Sequence, residues 1–385
     1  MRAVQCALWP GTENVPIGRA VSPSALPARR PRESMAGRLA LLVCSVLVTL
    51  FLLEIGCRLA RGPQALLDWR NIVLVQRLKM SAQNIGHRFT YDPLLGYVQR
   101  AGFSDPLMSF GEHGFRRMPP PPADAADGPP VLATGDSYTQ GDEVDDAHTW
   151  PAQLQGLLRR RTINAGVAAY GFDQTVLRTE QLVPLVKPGL IVLGFIGDDL
   201  RRAEMSRTWG TEKPYFTLKG DGAELHNVPV PPSPDPRTTL DFRQTAFGWS
   251  VLLDTILIHQ GRQYEWLVDH RRATPPGTGE RLACPLLRRI AALGVPTLVV
   301  AQYDFYVWQN AEFAAEQHRL SRAVLKCAEA AGLASLDLYD RTEAAVRARG
   351  LGTMYLTWHP SPAGYRLIAE AIAGEVGKRH LLPQR

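Results

Sequence analysis

The stretch Val131-Leu132-Ala133-Thr134-Gly135-Asp136-Ser137-Tyr138-Thr139-Gln140-Gly141 decides how the rest of the chain reads. Residues 131 to 134 lack the polar alternation of a half-exposed strand, which predicts a strand buried on both faces. Gly135-Asp136-Ser137 follows it directly. In open parallel sheets ligands gather outside the carboxyl ends of the strands. Ser137 therefore stands where a nucleophile would be useful.

Two further runs, residues 190 to 195 and 297 to 301, have the same unbroken apolar character. Between the strands lie amphipathic helices: residues 149 to 160, with Leu154, Leu157 and Leu158 on one side, and residues 174 to 186, with Leu177, Leu182 and Leu185. Strand, helix, strand order predicts an α/β fold, a three-layer, doubly wound, mainly parallel sheet. The last helix is announced by Ser361 as N-cap, Pro362 in the first turn, and Tyr365, Ile368, Ile372 and Val376 at helical spacing. His359 precedes it.

The alternation breaks over residues 206 to 279. Apolar runs at 215 to 218 and 224 to 228 flank Gly220-Asp221-Gly222, a hairpin turn, before a proline-rich run from 229 to 236. This reads as an insertion over the sheet edge. Residues 60 to 128, punctuated by Pro93, Gly96, Gly111 and Gly114 and ending in prolines and Ala-Asp repeats, read as a membrane-proximal lead-in and linker. The domain proper is expected over residues 129 to 378.

Residues 39 to 53 carry no charge. Extended to residue 59, with Glu54 and Arg58 snorkelling, the run reaches the roughly 20 residues a bilayer needs. A buried core helix fits less well, and so does a cleaved signal peptide, because no small-x-small cleavage signature follows. Arg29, Arg30, Arg32 and Arg38 precede the run. The positive-inside tendency then keeps the amino terminus in the cytoplasm and places the domain in the periplasm or outside the cell. Residues 1 to 38 are expected to be disordered, and Met35 is an alternative start.

The formal net charge of +6 is uneven. Residues 1 to 59 hold seven Arg and three Glu, leaving 36 basic and 34 acidic residues beyond. No basic stripe with interleaved aromatics follows, which argues against nucleic acid as a partner. The five cysteines form no CxxC pair and no HExxH is present, so neither a metal site nor a cofactor is expected. Cys284 and Cys327 both fall in helical patterns that could pack side by side, and an oxidising compartment would allow a disulfide between them, which the sequence leaves open.

A serine hydroxyl needs an imidazole to take its proton and donors for the oxyanion that forms. His359, at the last strand-to-helix step, is the candidate base. Here the residues resemble a known family. Residues 135 to 141 are similar to the first block of the SGNH (GDSL) hydrolases, and His359-Pro360 with Gly364 to the last. Residues 164 to 171 resemble the second block and residues 195 to 200 the third. Tyr91-Asp92-Pro93-Leu94-Leu95-Gly96 and His113-Gly114-Phe115-Arg116 resemble the lead-in of exported, single-helix-anchored bacterial members. A more distant similarity is to alginate O-acetylation proteins.

The resemblance implies a flavodoxin-like fold, with Ser137 attacking an ester carbonyl, His359 as general base then acid, and an oxyanion hole at Ser137, Ala169 and Asp198. Three positions depart from the family pattern. Ala169 replaces a glycine, and Asp198 replaces an asparagine whose amide donates, which an ionised carboxylate cannot do. Leu356 stands where the family's acid lies, three residues before the histidine. A backbone carbonyl, Asp304, Asp337 or Asp340 could orient the ring instead. The implied function is a serine esterase acting on an acylated small molecule, glycan or lipid, with an O-acyltransferase or a catalytically silent glycan-binding module as alternatives.

Overall fold

Strands without polar alternation must be covered on both sides, and they are. In a computed structural model, which describes residues 34–83 and 88–382, five parallel strands form the central sheet: β1 (Ala126–Thr134), β2 (Arg160–Asn164), β3 (Leu190–Phe195), β4 (Thr297–Ala301) and β5 (Ala334–Asp337). Their spatial order is β5-β4-β3-β1-β2, the flavodoxin-like order that reverses direction between β1 and β3. β1 pairs with β3 through Val131↔Leu190 and with β2 through Leu132↔Ile163.

Period-two geometry sends alternate residues of each strand to opposite layers. Ile191, Leu193, Phe195, Val299 and Ala301 join Val176, Leu177, Leu286, Val324 and Ala328 on one face. Those partners come from α4 (Phe172–Val186), α6 (Thr278–Ala291) and α7 (Ala311–Ala330), labelled together with six of the other helices, α1 (Met35–Ala60), α2 (Ser137–Gln140), α3 (Trp150–Leu158), α5 (Asp198–Ala203), α8 (Tyr339–Arg349) and α9 (Pro362–Lys378). Leu190, Val192, Leu298 and Val300 turn to the other face, where Trp150 and Leu154 of α3 meet Tyr365, Ile368 and Ile372 of α9. Each fully buried Val, Leu, Ile or Phe among them contributes ~1.5–3 kcal/mol. The expected cap at Ser361 is present, accepting from Gly364 N–H, and Thr149 caps α3 in the same way by accepting from Ala152 N–H.

The chain divides into two units, Met1–Gly56 and Cys57–Arg385. α1, with a mean hydropathy of 2.5 in its most apolar window, is long and apolar enough to cross a membrane. The disorder expected for residues 1 to 38 falls mainly outside the described residues, and from Met35 the chain is already helical.

Two expectations change. The segment read as lead-in and linker is packed into the same unit as the sheet. Its hairpin, Phe89–Asp92 with Gly96–Gln99, buries Phe89 and Tyr97 against Tyr170. Arg116, 2% exposed, is threaded beneath the Ser137 turn. An arginine can lie there because its fork finds carbonyl acceptors on all sides. The insertion, whose hairpin pairs Tyr215 with His226, does not cover a sheet edge. Its Phe216 enters the apolar cluster of α4 and α6, and Lys213 Nζ donates to Asp173 of α4 at 2.6 Å. The helical layer, and not the sheet, offers it an apolar surface.

Candidate active site

The chain leaves β1 through Gly135. A Cβ there would lie 2.1 Å from Thr139 Oγ1 and 2.7 Å from the Gly194 carbonyl, so only glycine lets the next turn fold back. Asp136 caps that turn by accepting from Tyr138 N–H at 2.9 Å, and Ser137 opens the single-turn helix α2. The second-block loop comes equally close: a Cβ on Gly166 would sit 2.3 Å from the Gln140 nitrogen. Asn164, at the end of β2, donates to the Gln140 carbonyl and accepts from Gly166 N–H. From below, Arg116 donates to the carbonyls of Gln140, Gly141 and Val144 and to Asp146.

His359 lies in a loop closed by Leu356 N–H to the His359 carbonyl at 2.9 Å and by the Tyr355–Pro360 bridge. Its Nε2 is 2.9 Å from Ser137 Oγ, within the range that lets an imidazole take a hydroxyl proton. The ring packs on Tyr138, centroids 5.0 Å apart, and the Tyr138 hydroxyl donates to the Trp358 carbonyl at 2.7 Å. Residues 222 apart in sequence thus meet above the carboxyl end of the sheet.

On its far side, His359 Nδ1 is 3.5 Å from Glu143 Oε1. Glu143 was not singled out by the sequence. It lies on the tail of the nucleophile turn, far from the position where the family's acid occurs. A left-handed φ of 69° at a non-glycine residue is its one unusual local feature, and that is visible only in the fold. Burial pushes the imidazole pKa down, but the proximity and charge of Glu143, with the charges of Asp142 and Asp136, outweigh it and hold His359 above its ordinary value. Burial likewise raises Glu143, and His359 with the Trp358 and His359 amides brings it below the usual range.

The other acids considered for this role are engaged elsewhere. Asp304 caps a turn by accepting from Tyr306 N–H, Asp337 accepts from the Tyr303 hydroxyl and faces His318, and Asp340 is exposed on α8. Leu356 is 41% exposed.

The three sites assigned to the oxyanion hole behave differently. Ser137 stands at the first position of a helix, where the amide has no partner within the turn. Ala169 has φ 66°, the left-handed conformation that glycine adopts freely, and lines the same cleft. Asp198 also lines it, but its carboxylate is held by Arg201 at 2.6 Å and Arg202 at 3.0 Å. Burial would raise its pKa; the two guanidinium groups prevail and hold it at about 2. It therefore has no proton to give at neutral pH. Arg202 also reaches Asp199 at 2.8 Å and Asp136 at 3.3 Å. Burial first, and then the Asp136 charge, push Asp199 well above the carboxylate range.

The cleft above Ser137 and His359 has a volume of about 270 Å³. Trp358 and Tyr306 on its rim are 57% and 54% exposed, and Trp209 enters from the insertion.

The sequence profile described as the GDSL-like lipase/acylhydrolase family matches residues 133–367. Solved structures with a similar fold include LAE5, an alpha/beta hydrolase enzyme from the metagenome of Lake Arreo, Spain, at 17% identity and TM-score 0.41, covering 66% of this chain and 96% of that one. Another is Axe2, an acetylxylan esterase from Geobacillus stearothermophilus, at 15% identity and TM-score 0.40, covering 66% and 96%. No curated protein matches the chain. With the profile spanning both Ser137 and His359, the chain belongs to the GDSL-like lipase/acylhydrolase family and is an ester-bond hydrolase of the SGNH type.

Proposed function

We propose that this protein is a membrane-anchored serine esterase that removes short acyl groups from hydroxyls of an envelope glycan through an acyl-serine intermediate. The observation that carries this reading is the 2.9 Å approach of Ser137 Oγ to His359 Nε2 at the end of β1. Ser137 Oγ attacks the acyl carbonyl as its proton passes to Nε2. The amides of Ser137 and Ala169 receive the developing oxyanion, and the sugar alkoxide leaves with the proton that His359 returns. Water, deprotonated by the same imidazole, then attacks the acyl-serine and frees the acid.

The cleft walls favour a glycan over a lipid. Asp142, Asp198, Arg202 and Asp304 line it together with the aromatic faces of Trp358, Tyr306 and Trp209, a mixture suited to hydroxyls and sugar-ring faces. The neighbouring cavity, about 130 Å³ with Arg88 and Asp142 in its wall, is small and polar for a long acyl chain. The exposed rim of Trp358 and Tyr306 also suits an acceptor sugar in place of water, and the reaction would then be O-acyl transfer. α1 supports anchoring through one helix, and the arginines before it support export of the domain.

A fluorophosphonate probe applied to the full chain in detergent tests the chemistry. Labelling should be abolished in Ser137→Ala and slowed by on the order of 10³-fold or more in His359→Ala. A folded wild type that stays unlabelled from about pH 6 to 9, a range spanning histidine titration, would favour a silent glycan-binding module. Product analysis with acetylated oligosaccharides then separates release of acetate from transfer.

A further inference from the structure

We propose that Glu143 is the positioning acid of this site, holding the histidine loop by its backbone with one carboxylate oxygen and facing the imidazole with the other. The proposal rests on the esterase reading and deepens it, because it replaces the acid that the family places three residues before the histidine. Glu143 Oε2 receives the amides of Thr357 at 2.9 Å, Trp358 at 3.3 Å and His359 at 3.5 Å. Three successive N–H groups converging on one oxygen make an anion-binding nest. Glu143 Oε1 lies 3.5 Å from Nδ1, which is buried and has no nearer partner among the described residues. That separation is longer than a good hydrogen bond, as catalytic contacts in resting sites often are.

The backbone supports the same assignment. Glu143 sits at φ 69°, which costs a non-glycine residue something and persists only where the surroundings over-determine it. Arg116, donating to the carbonyls of Gly141 and Val144 on either side, supplies that constraint. Serine and acid therefore ride on one segment, residues 137 to 143, and the histidine loop is clamped onto it. The position vacated by the family's acid holds Leu356, in contact with solvent.

The charged groups around the imidazole are Glu143, Asp142 and Asp136, with Asp198, Arg202 and Asp304 on the opposite cleft wall. Arg202 is paired with Asp136, Asp198 and Asp199, which leaves Glu143 as the carboxylate facing Nδ1. A neutral residue at 143 removes a charge that favours the imidazolium, so the His359 pKa should fall.

The full chain in detergent, with histidines labelled with ¹⁵N, gives a direct titration of His359. In Glu143→Gln, whose amide oxygen can still accept from the loop, that pKa should drop. Hydrolysis of p-nitrophenyl acetate should fall on the order of 10²- to 10⁴-fold in kcat/KM, with the acidic limb displaced to lower pH. Adding Leu356→Asp, which returns a carboxylate to the family's position, should recover about tenfold or more. An unchanged His359 titration in folded Glu143→Gln would overturn the proposal, as would wild-type kcat/KM in that variant. Because the titration reads the imidazole itself, a wild type that hydrolyses nothing would count against the esterase reading and still decide the role of Glu143.

Discussion

Ala169 and Asp198 are single-residue departures from the family pattern with opposite structural outcomes. A methyl group at φ 66° costs ~1–2 kcal/mol against a relaxed backbone, but it leaves the amide in place at the cleft. A carboxylate at 198 changes the chemistry, because Arg201 and Arg202 keep it charged. Under the proposed mechanism the site works with backbone donors, and Asp198, paired with Arg201 and Arg202, orders those two arginines along the cleft wall. If so, the kcat/KM profile of Asp198→Asn between about pH 5 and 9, well above a carboxylate pKa near 2, keeps the wild-type shape. A wild-type rate that declines with rising pH over that range, and flattens in the variant, would show that a protonated Asp198 donates after all.

Among elements, the joint between the insertion and α4 rests on a fully buried ion pair. Lys213 Nζ, with no exposed surface, is satisfied by Asp173 Oδ2 at 2.6 Å and by the carbonyls of Met205 and Pro214 at 3.0 and 2.8 Å. Burial drives the two pKa values toward each other, Asp173 up and Lys213 down, and each charge survives because the other is present. Replacing one partner strands the other, so Lys213→Met should lose ~3–5 kcal/mol at neutral pH in urea unfolding. In that variant the folded pKa of Asp173 lies above its unfolded value. The neutral carboxyl is then favoured below the unfolded pKa, and the deficit should shrink on acidification and be largest above the folded pKa. A loss under about 1 kcal/mol, the level of a surface pair, would mean that the insertion is held by Phe216 and its apolar neighbours alone. That the insertion carries a hairpin was readable from Gly220-Asp221-Gly222; its docking surface was not, since a short hairpin carries no mark of which helix it will meet.

For the molecule as a whole, the disulfide Cys284–Cys327 ties α6 to α7 on one face of the sheet, 43 residues apart. Closing a loop of that length removes chain entropy from the unfolded state equivalent to about 4 kcal/mol. Cys284→Ser/Cys327→Ser should therefore lower stability by ~2–4 kcal/mol in the oxidised protein. Equal stability of wild type and variant without reductant would indicate that the bond does not form, and so argue against an oxidising compartment. The same scale explains why residues 60 to 128 are no spacer. Tyr97, Gln99 and Arg116 from that segment bond to Ala168, Gln140 and the nucleophile turn, so the region that connects α1 to the sheet also braces the site.

By itself the sequence determined what depends on local pattern. The buried strands at 131, 190 and 297, the parallel order, the cap at Ser361, the apolar helix, and the pair Ser137 and His359 all follow from periodicity and short motifs whose chemistry is carried within a few residues. What only the tertiary structure decided is what depends on distant neighbours. Glu143 gains its meaning from three amides more than 200 residues away, Asp198 its charge state from the two arginines its helix turns toward it, and Arg116 its burial from carbonyls that exist as a cluster only once the nucleophile turn has formed. A carboxylate's role is set by the field and the donors around it, and those are assembled by the fold.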